Sequence, residues 1–166
     1  GTGLWILSNT ANNYSGATSI VAGQLRTTAG ALSANSNLRL SGGIYEASGT
    51  FDRSLGTGSG QLAFVGSGTA GGFAASTAPL TVSIGSGASL VWGSTANFLG
   101  TGALLLNSST ALAEVNFSTP LDLNGATRTV TLADNTTTFT DFAILSGVIS
   151  GTGTASALTI GGSGVL

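Results

Sequence analysis

The chain predicts an all-β protein, a parallel β-helix or solenoid of about 7 or 8 rungs that stack end to end. Three observations point there. Apolar residues recur with period two in short runs, which places them on one face of a strand. Gly-x-Gly closes many of these runs, as corners of a coil require. The two-residue hairpin signal Asn-Gly occurs once, at Asn124–Gly125. A sandwich or barrel joined by hairpins is the alternative. Rungs of ~20–25 residues stacked at ~4.8 Å would build a rod of roughly 35–40 Å.

The runs follow one another along the chain. Leu4 and Ile6 alternate, with Trp5 on the opposite face and open to solvent. Leu38 and Leu40 come next, then Leu62 and Phe64, then Leu80, Val82 and Ile84. Leu90 and Trp92 share a face, which puts Trp92 in the core. Val115 and Phe117, Leu121 and Leu123, Val130 and Leu132, and Leu158 and Ile160 complete the ladder. Gly-x-Gly corners fall at Gly1/Gly3, Gly56/Gly58/Gly60, Gly66/Gly68, Gly85/Gly87, Gly100/Gly102, Gly151/Gly153 and Gly162/Gly164. Asn12, Asn13, Asn107, Asn116 and Asn124 are expected in turns, because Asn tolerates left-handed geometry. Residues 66–78 (GSGTAGGFAASTA) lack alternation and predict a wide loop or irregular rung.

Composition bounds the function. Charged residues are 6 % of 166, against roughly 25 % in an ordinary soluble domain. Hydrophobic residues at 42 % suffice for a core, built mostly from aliphatic side chains because aromatics are only 7 %. The net charge of −2 and the lack of a basic tract argue against a nucleic-acid partner. Lys is absent, which excludes Lys–Asn isopeptide crosslinks, and there is no Cys for a disulfide or thiolate site. A cysteine-free chain fits an extracellular bacterial protein. No apolar stretch reaches the ~18 residues of a spanning helix. The chain starts without Met and without a signal peptide, so residues 1–166 are read as one solenoid segment of a longer or tandem-repeat protein.

No residue pattern carries catalysis, so the chain is read as a non-enzyme without cofactor or metal. A serine nucleophile needs a base such as His, and there is none. Glu114, Asp122 and Asp134 could meet on neighbouring rungs, but no spacing motif pairs them as glycosidic carboxylates. Asp134, Asn135 and Asp141 could chelate a cation weakly, with a solvated threonine-rich turn as the simpler reading. Arg128 and Asp134 are expected as a local ion pair or as solvated charges. Arg26 and Arg39 are expected on exposed strand faces. Two residues stand out as interface or ligand contacts. Trp5 could stack on a sugar or contact the next unit, although packing against a loop is the simpler role. Tyr14 reads more simply as corner packing. The Thr-rich segments 129–131 and 136–140 read as β-branched strand residues, not as a lattice-matching face. Four Asn-x-Ser/Thr sequons start at Asn13, Asn107, Asn116 and Asn135, a product of composition.

The stretch LSNTANNYSGATSIVAGQL (Leu7 to Leu25) resembles the autotransporter-associated β-strand repeat. Asn13, Tyr14, Ser15, Gly16 and Thr18 occupy its central block, and Ala22, Gly23 and Leu25 close it. LDLNGATRTVTLAD (Leu121 to Asp134), ILSGVISGTG (Ile144 to Gly153) and the ending ALTIGGSGVL follow in the family's order. The departures are NTANN ahead of Tyr14, Ala17 where a second Gly is usual, and Ile160 where Lys is common. The matched blocks cover about a third of the chain. The resemblance implies a segment of a long secreted passenger on a bacterial surface. Its expected partners are other copies or neighbouring repeats, or a surface glycan or protein. Joining Leu166 to Gly1 restores the family's block order, which implies one unit of a head-to-tail array.

Overall fold

The computed structural model describes residues 1–152 and 154–166. Gly153, expected at a corner with Gly151, lies outside the described residues. Among the described residues there are fifteen strands: β1 (Leu4–Leu7), β2 (Thr18–Ile20), β3 (Gln24–Thr27), β4 (Leu38–Leu40), β5 (Ile44–Phe51), β6 (Leu62–Phe64), β7 (Gly71–Val82), β8 (Leu90–Val91), β9 (Leu104–Leu106), β10 (Val115–Phe117), β11 (Leu121–Asp122), β12 (Thr127–Leu132), β13 (Ala143–Leu145), β14 (Ile149–Ser150) and β15 (Ala157–Gly162). The only helical element among the described residues is a tight turn at Ile84–Gly87, where Gly85 and Ser86 are left-handed.

All strand pairings are parallel. The long sheet runs β1–β3–β5–β7–β9–β12–β15, with β10 and β13 continuing from β7. Two three-stranded sheets, β2–β4–β6 and β8–β11–β14, flank it in sequence. Parallel strands cannot be joined by tight hairpins, so each returns only after a long connection. Leu4 lies opposite Gln24 and Gln24 opposite Ile44, a separation of 20 residues each time. Ile44 then faces Gly72, Gly72 faces Leu105, Leu105 faces Thr131 and Thr131 faces Gly161, at 26 to 33 residues. The later returns are longer than the ~20–25 residues expected, because extra strands and loops are inserted. This parallel architecture is compatible with a β-helix and removes the hairpin-built alternative. Among the described residues the one antiparallel contact is an isolated bridge between Ala75 and Ala113. Asn124 and Gly125 do adopt positive φ (54° and 64°), but their turn links strands of different sheets.

The core follows the register. Trp5, Leu25, Tyr45, Phe73, Leu106, Leu132 and Gly162 form one continuous column across the long sheet. Phe73 is fully buried at its centre, with Phe51 at 5.1 Å and Phe64 at 6.3 Å between ring centroids. Trp92 is also fully buried, edge-on to Phe98, as its alternation predicts. The strand faces predicted from Leu80 through Leu132 are buried as expected.

Three expectations are corrected here. Leu4 and Ile6 do not face the core: the register aligns Trp5 with the inward column, and Ile6 is exposed. Residues 66–78 are not a wide loop, since β7 begins at Gly71 and residues 71–76 are buried. Alternation is missing because this strand is covered on both faces. Ile44, Ala74, Ala111 and Leu105 form a second apolar cluster on the face away from Phe73. Small residues are required there, since a Cβ on Gly72 would collide with the Leu105 carbonyl oxygen. Pro79 falls where β7 bulges against β5, between the Ala47–Ala75 and Gly49–Leu80 pairs, so no ladder hydrogen bond is lost to it. Finally, Asn116 sits inside β10 instead of in a turn, whereas Asn107 (φ 63°) and Asn124 are left-handed as expected.

Candidate functional site

Arg26, Glu46, Arg53, Arg128 and Asp141 are directed inward or onto backbone. Glu46 is fully buried and Arg26, its register partner, reaches it with Nε at 2.8 Å. Thr110 donates its hydroxyl to the same carboxylate at 2.8 Å and Ser108 at 3.3 Å, while Arg26 also donates to the Thr110 carbonyl. This is the one ion pair among the described residues. Arg26 is therefore not on an open strand face. The sequence signal was its 20-residue spacing from Glu46, one step of the sheet.

Arg128 does not pair with Asp134. It is buried and donates to three carbonyls: Trp92 at 2.8 Å, Leu123 at 3.0 Å and Gly100 at 3.1 Å. Arg53 likewise donates to the Ser36 and Ser33 carbonyls, and burial lowers the pKa of its guanidinium. Arg39 is half-buried, with Nε shielded from solvent and lacking a protein partner, contrary to the exposed position expected. The Arg26, Arg53 and Arg128 guanidiniums each hold backbone carbonyls.

In the acidic loop the candidate ligands bond within the chain. Asp141 is buried and accepts from the Asn135 amide at 2.7 Å, and Asn107 donates to its carbonyl. Asn135 donates to the Ala111 carbonyl and accepts from Thr137. Among the described residues no group of three or more His, Cys, Asp or Glu converges. Residues 136–140 form a turn instead of a strand, and its tip residue Phe139 is 99 % exposed. Thr129 faces Thr159, but Thr131 faces Leu105 and Gly161, so no threonine row continues.

Both ends of the long sheet expose apolar side chains, as do Leu112 and Phe139 elsewhere. Trp5 is 67 % exposed although it lies in the core column, because β1 pairs on one side only. Beside it a groove of about 380 Å³ is lined by Trp5, Ile20, Val21, Ala22 and Leu25. At the other end β15 exposes Ile160, while Val148 and Ile149 are exposed at β14, the edge of a short sheet. Neither edge strand has a charged side chain: all four arginines and six acids lie between Arg26 and Asp141 in the sequence. Tyr14 does not line this groove, but its hydrogen-bond partner Thr18 does. Its phenol bonds the Thr18 hydroxyl at 2.8 Å, and Thr18 bonds Ser36 at 2.7 Å. What sequence reasoning missed was the inward register of Trp5, visible only through its partner Leu25.

No family model, curated protein or solved structure matches the chain. No helix among the described residues is long and apolar enough to cross a membrane.

Proposed function

We propose that the chain is a structural module, a β-helical segment of a bacterial extracellular fibre or surface passenger that associates end to end. One observation carries the reading. The long sheet runs in a single strand direction from β1 to β15, with a free edge strand at each end and no charge on either. Free strand edges without charges or proline are templates for further pairing. The seven strands on the path from β1 to β15, returning every 20 to 33 residues, support a solenoid of about seven rungs. The resemblance to the autotransporter-associated repeat supports the same architecture and an extracellular location. The work of such a module is mechanical: backbone ladders and a continuous apolar column resist bending and proteolysis. Sedimentation velocity of the 166-residue chain over a concentration series tests the reading. The mass is expected to grow stepwise with concentration; a monomer at every concentration contradicts it.

A second reading, display of a binding loop to a glycan or protein, is favoured by Phe139. Its exposed ring borders a shallow cavity of about 150 Å³ with Asp134, Thr138 and Phe142. Glycan-array binding abolished by Phe139→Ala would support it. An array without signal would count against it.

A further inference from the structure

We propose that a second copy of this chain docks head to tail on the long sheet, its β1 adding to the free edge of β15 so that Trp5 of one copy covers Gly162 of the other. The inference rests on the end-to-end reading above and adds to it the register and the anchoring residue.

Side-chain size at the two ends carries the argument. One inward column begins at Trp5 and ends, through Leu25, Tyr45, Phe73, Leu106 and Leu132, at Gly162. The column two residues earlier has the opposite sense. It begins at Gly3 and Gly23, tied to the next strands through Gln24 N–H to Gly3 O and Ile44 N–H to Gly23 O, and ends at Leu104, Val130 and Ile160. One end therefore presents a large side chain beside a glycine, and the other a glycine beside a large one. Continuing the same register into a second copy sets Trp5 over Gly162 and Ile160 under Gly3. A shift of two residues would set Trp5 against Ile160 and lose the fit.

The vacancy at Gly162 is fixed by its own strand. Its φ is 103°, and a Cβ there would collide with the Leu132 carbonyl oxygen. Translation along the sheet keeps β1 parallel to β15, as at all internal pairings, whereas two β1 edges would meet antiparallel. Neither edge strand has a charged side chain, so none from either strand is desolvated on contact. The match is confined to the long sheet. One short sheet stops at β6 and the other starts at β8, so neither has edge strands from both ends of the chain. A heterologous contact of this kind does not close on itself and propagates as a filament.

Cysteine trapping reads the register directly, since the chain has no native Cys. Leu4 of one copy would lie opposite Gly161 of the next, both outward, and nothing within 4 Å obstructs a side chain at Gly161. Leu4→Cys and Gly161→Cys chains, mixed and oxidised, should give a disulfide-linked heterodimer, and Ile6→Cys with Gly161→Cys should not. Trp5→Ala should weaken association about tenfold or more, as truncation of a buried aromatic anchor does. Retained emission from buried Trp92 checks that the variant folds, and Ile160→Glu, at the opposite end, should weaken association comparably. Association unchanged in Trp5→Ala and Ile160→Glu, or crosslinking only in the shifted pair, overturns this register while leaving self-association standing. A wild-type chain that remains monomeric overturns both.

Discussion

Arg26 and Glu46 face each other across adjacent parallel strands, twenty residues apart, and the Glu46 carboxylate has no solvent exposure. A buried carboxylate is tolerated because Arg26, Ser108 and Thr110 supply donors to it. Removing the cation leaves that carboxylate without its charge partner. Arg26→Ala is therefore expected to cost about 3 kcal/mol, read from the urea unfolding midpoint. Glu46→Gln, which keeps an acceptor for both hydroxyls, should cost less.

Tyr45 makes stability sensitive to alkali. Burial raises its phenol pKa above the ordinary value, against the smaller opposing effect of the Thr27 hydrogen bond. A folded-state pKa above the unfolded one means that its contribution is intact below about pH 10. It falls as pH rises from there toward the folded value, because only the unfolded chain ionises readily. In Tyr14→Phe, Tyr45 is the sole phenol. Its phenolate absorbance should then appear only at higher pH in the folded protein than in urea.

Gly72 is held by packing alone. A Cβ at this position would meet the Leu105 carbonyl of the adjacent strand. Gly72→Ala should cost about 3 kcal/mol or more, since backbone has to move. Gly16, with open space around it, is the control, and Gly16→Ala should change stability by no more than about 0.5 kcal/mol.

Phe73 and Phe139 bracket the range of aromatic environments. Phe73 is fully buried among Phe51, Phe64 and Phe117, and Phe73→Ala should cost about 3–5 kcal/mol. Phe139→Ala, at an exposed loop tip, should leave the thermal midpoint unchanged.

The strands whose alternation is clean were legible: Leu80 and Val82, Leu90 and Trp92, Val115 and Phe117, Leu121 and Leu123, and Val130 and Leu132 are all buried. Alternation failed where it is ambiguous or suppressed. In β1, Leu4, Trp5 and Ile6 are all apolar, so only pairing with Leu25 shows which face is inward. In β7, burial on both faces replaced alternation with Gly and Ala, and the segment read as a loop. Arg26 and Arg128 were misread because a long side chain can leave its strand face to reach backbone carbonyls, as both do. Exposure of Trp5 was expected, but for the wrong reason: it is uncovered by its place at the sheet's edge, not by its face.

Cryo-EM of the 166-residue chain at high concentration tests the central claim most directly. The account predicts continuous filaments with a strand spacing of about 4.8 Å along the axis, and density for Trp5 enclosed between successive copies. Separate short particles with Trp5 open to solvent at every concentration would contradict it.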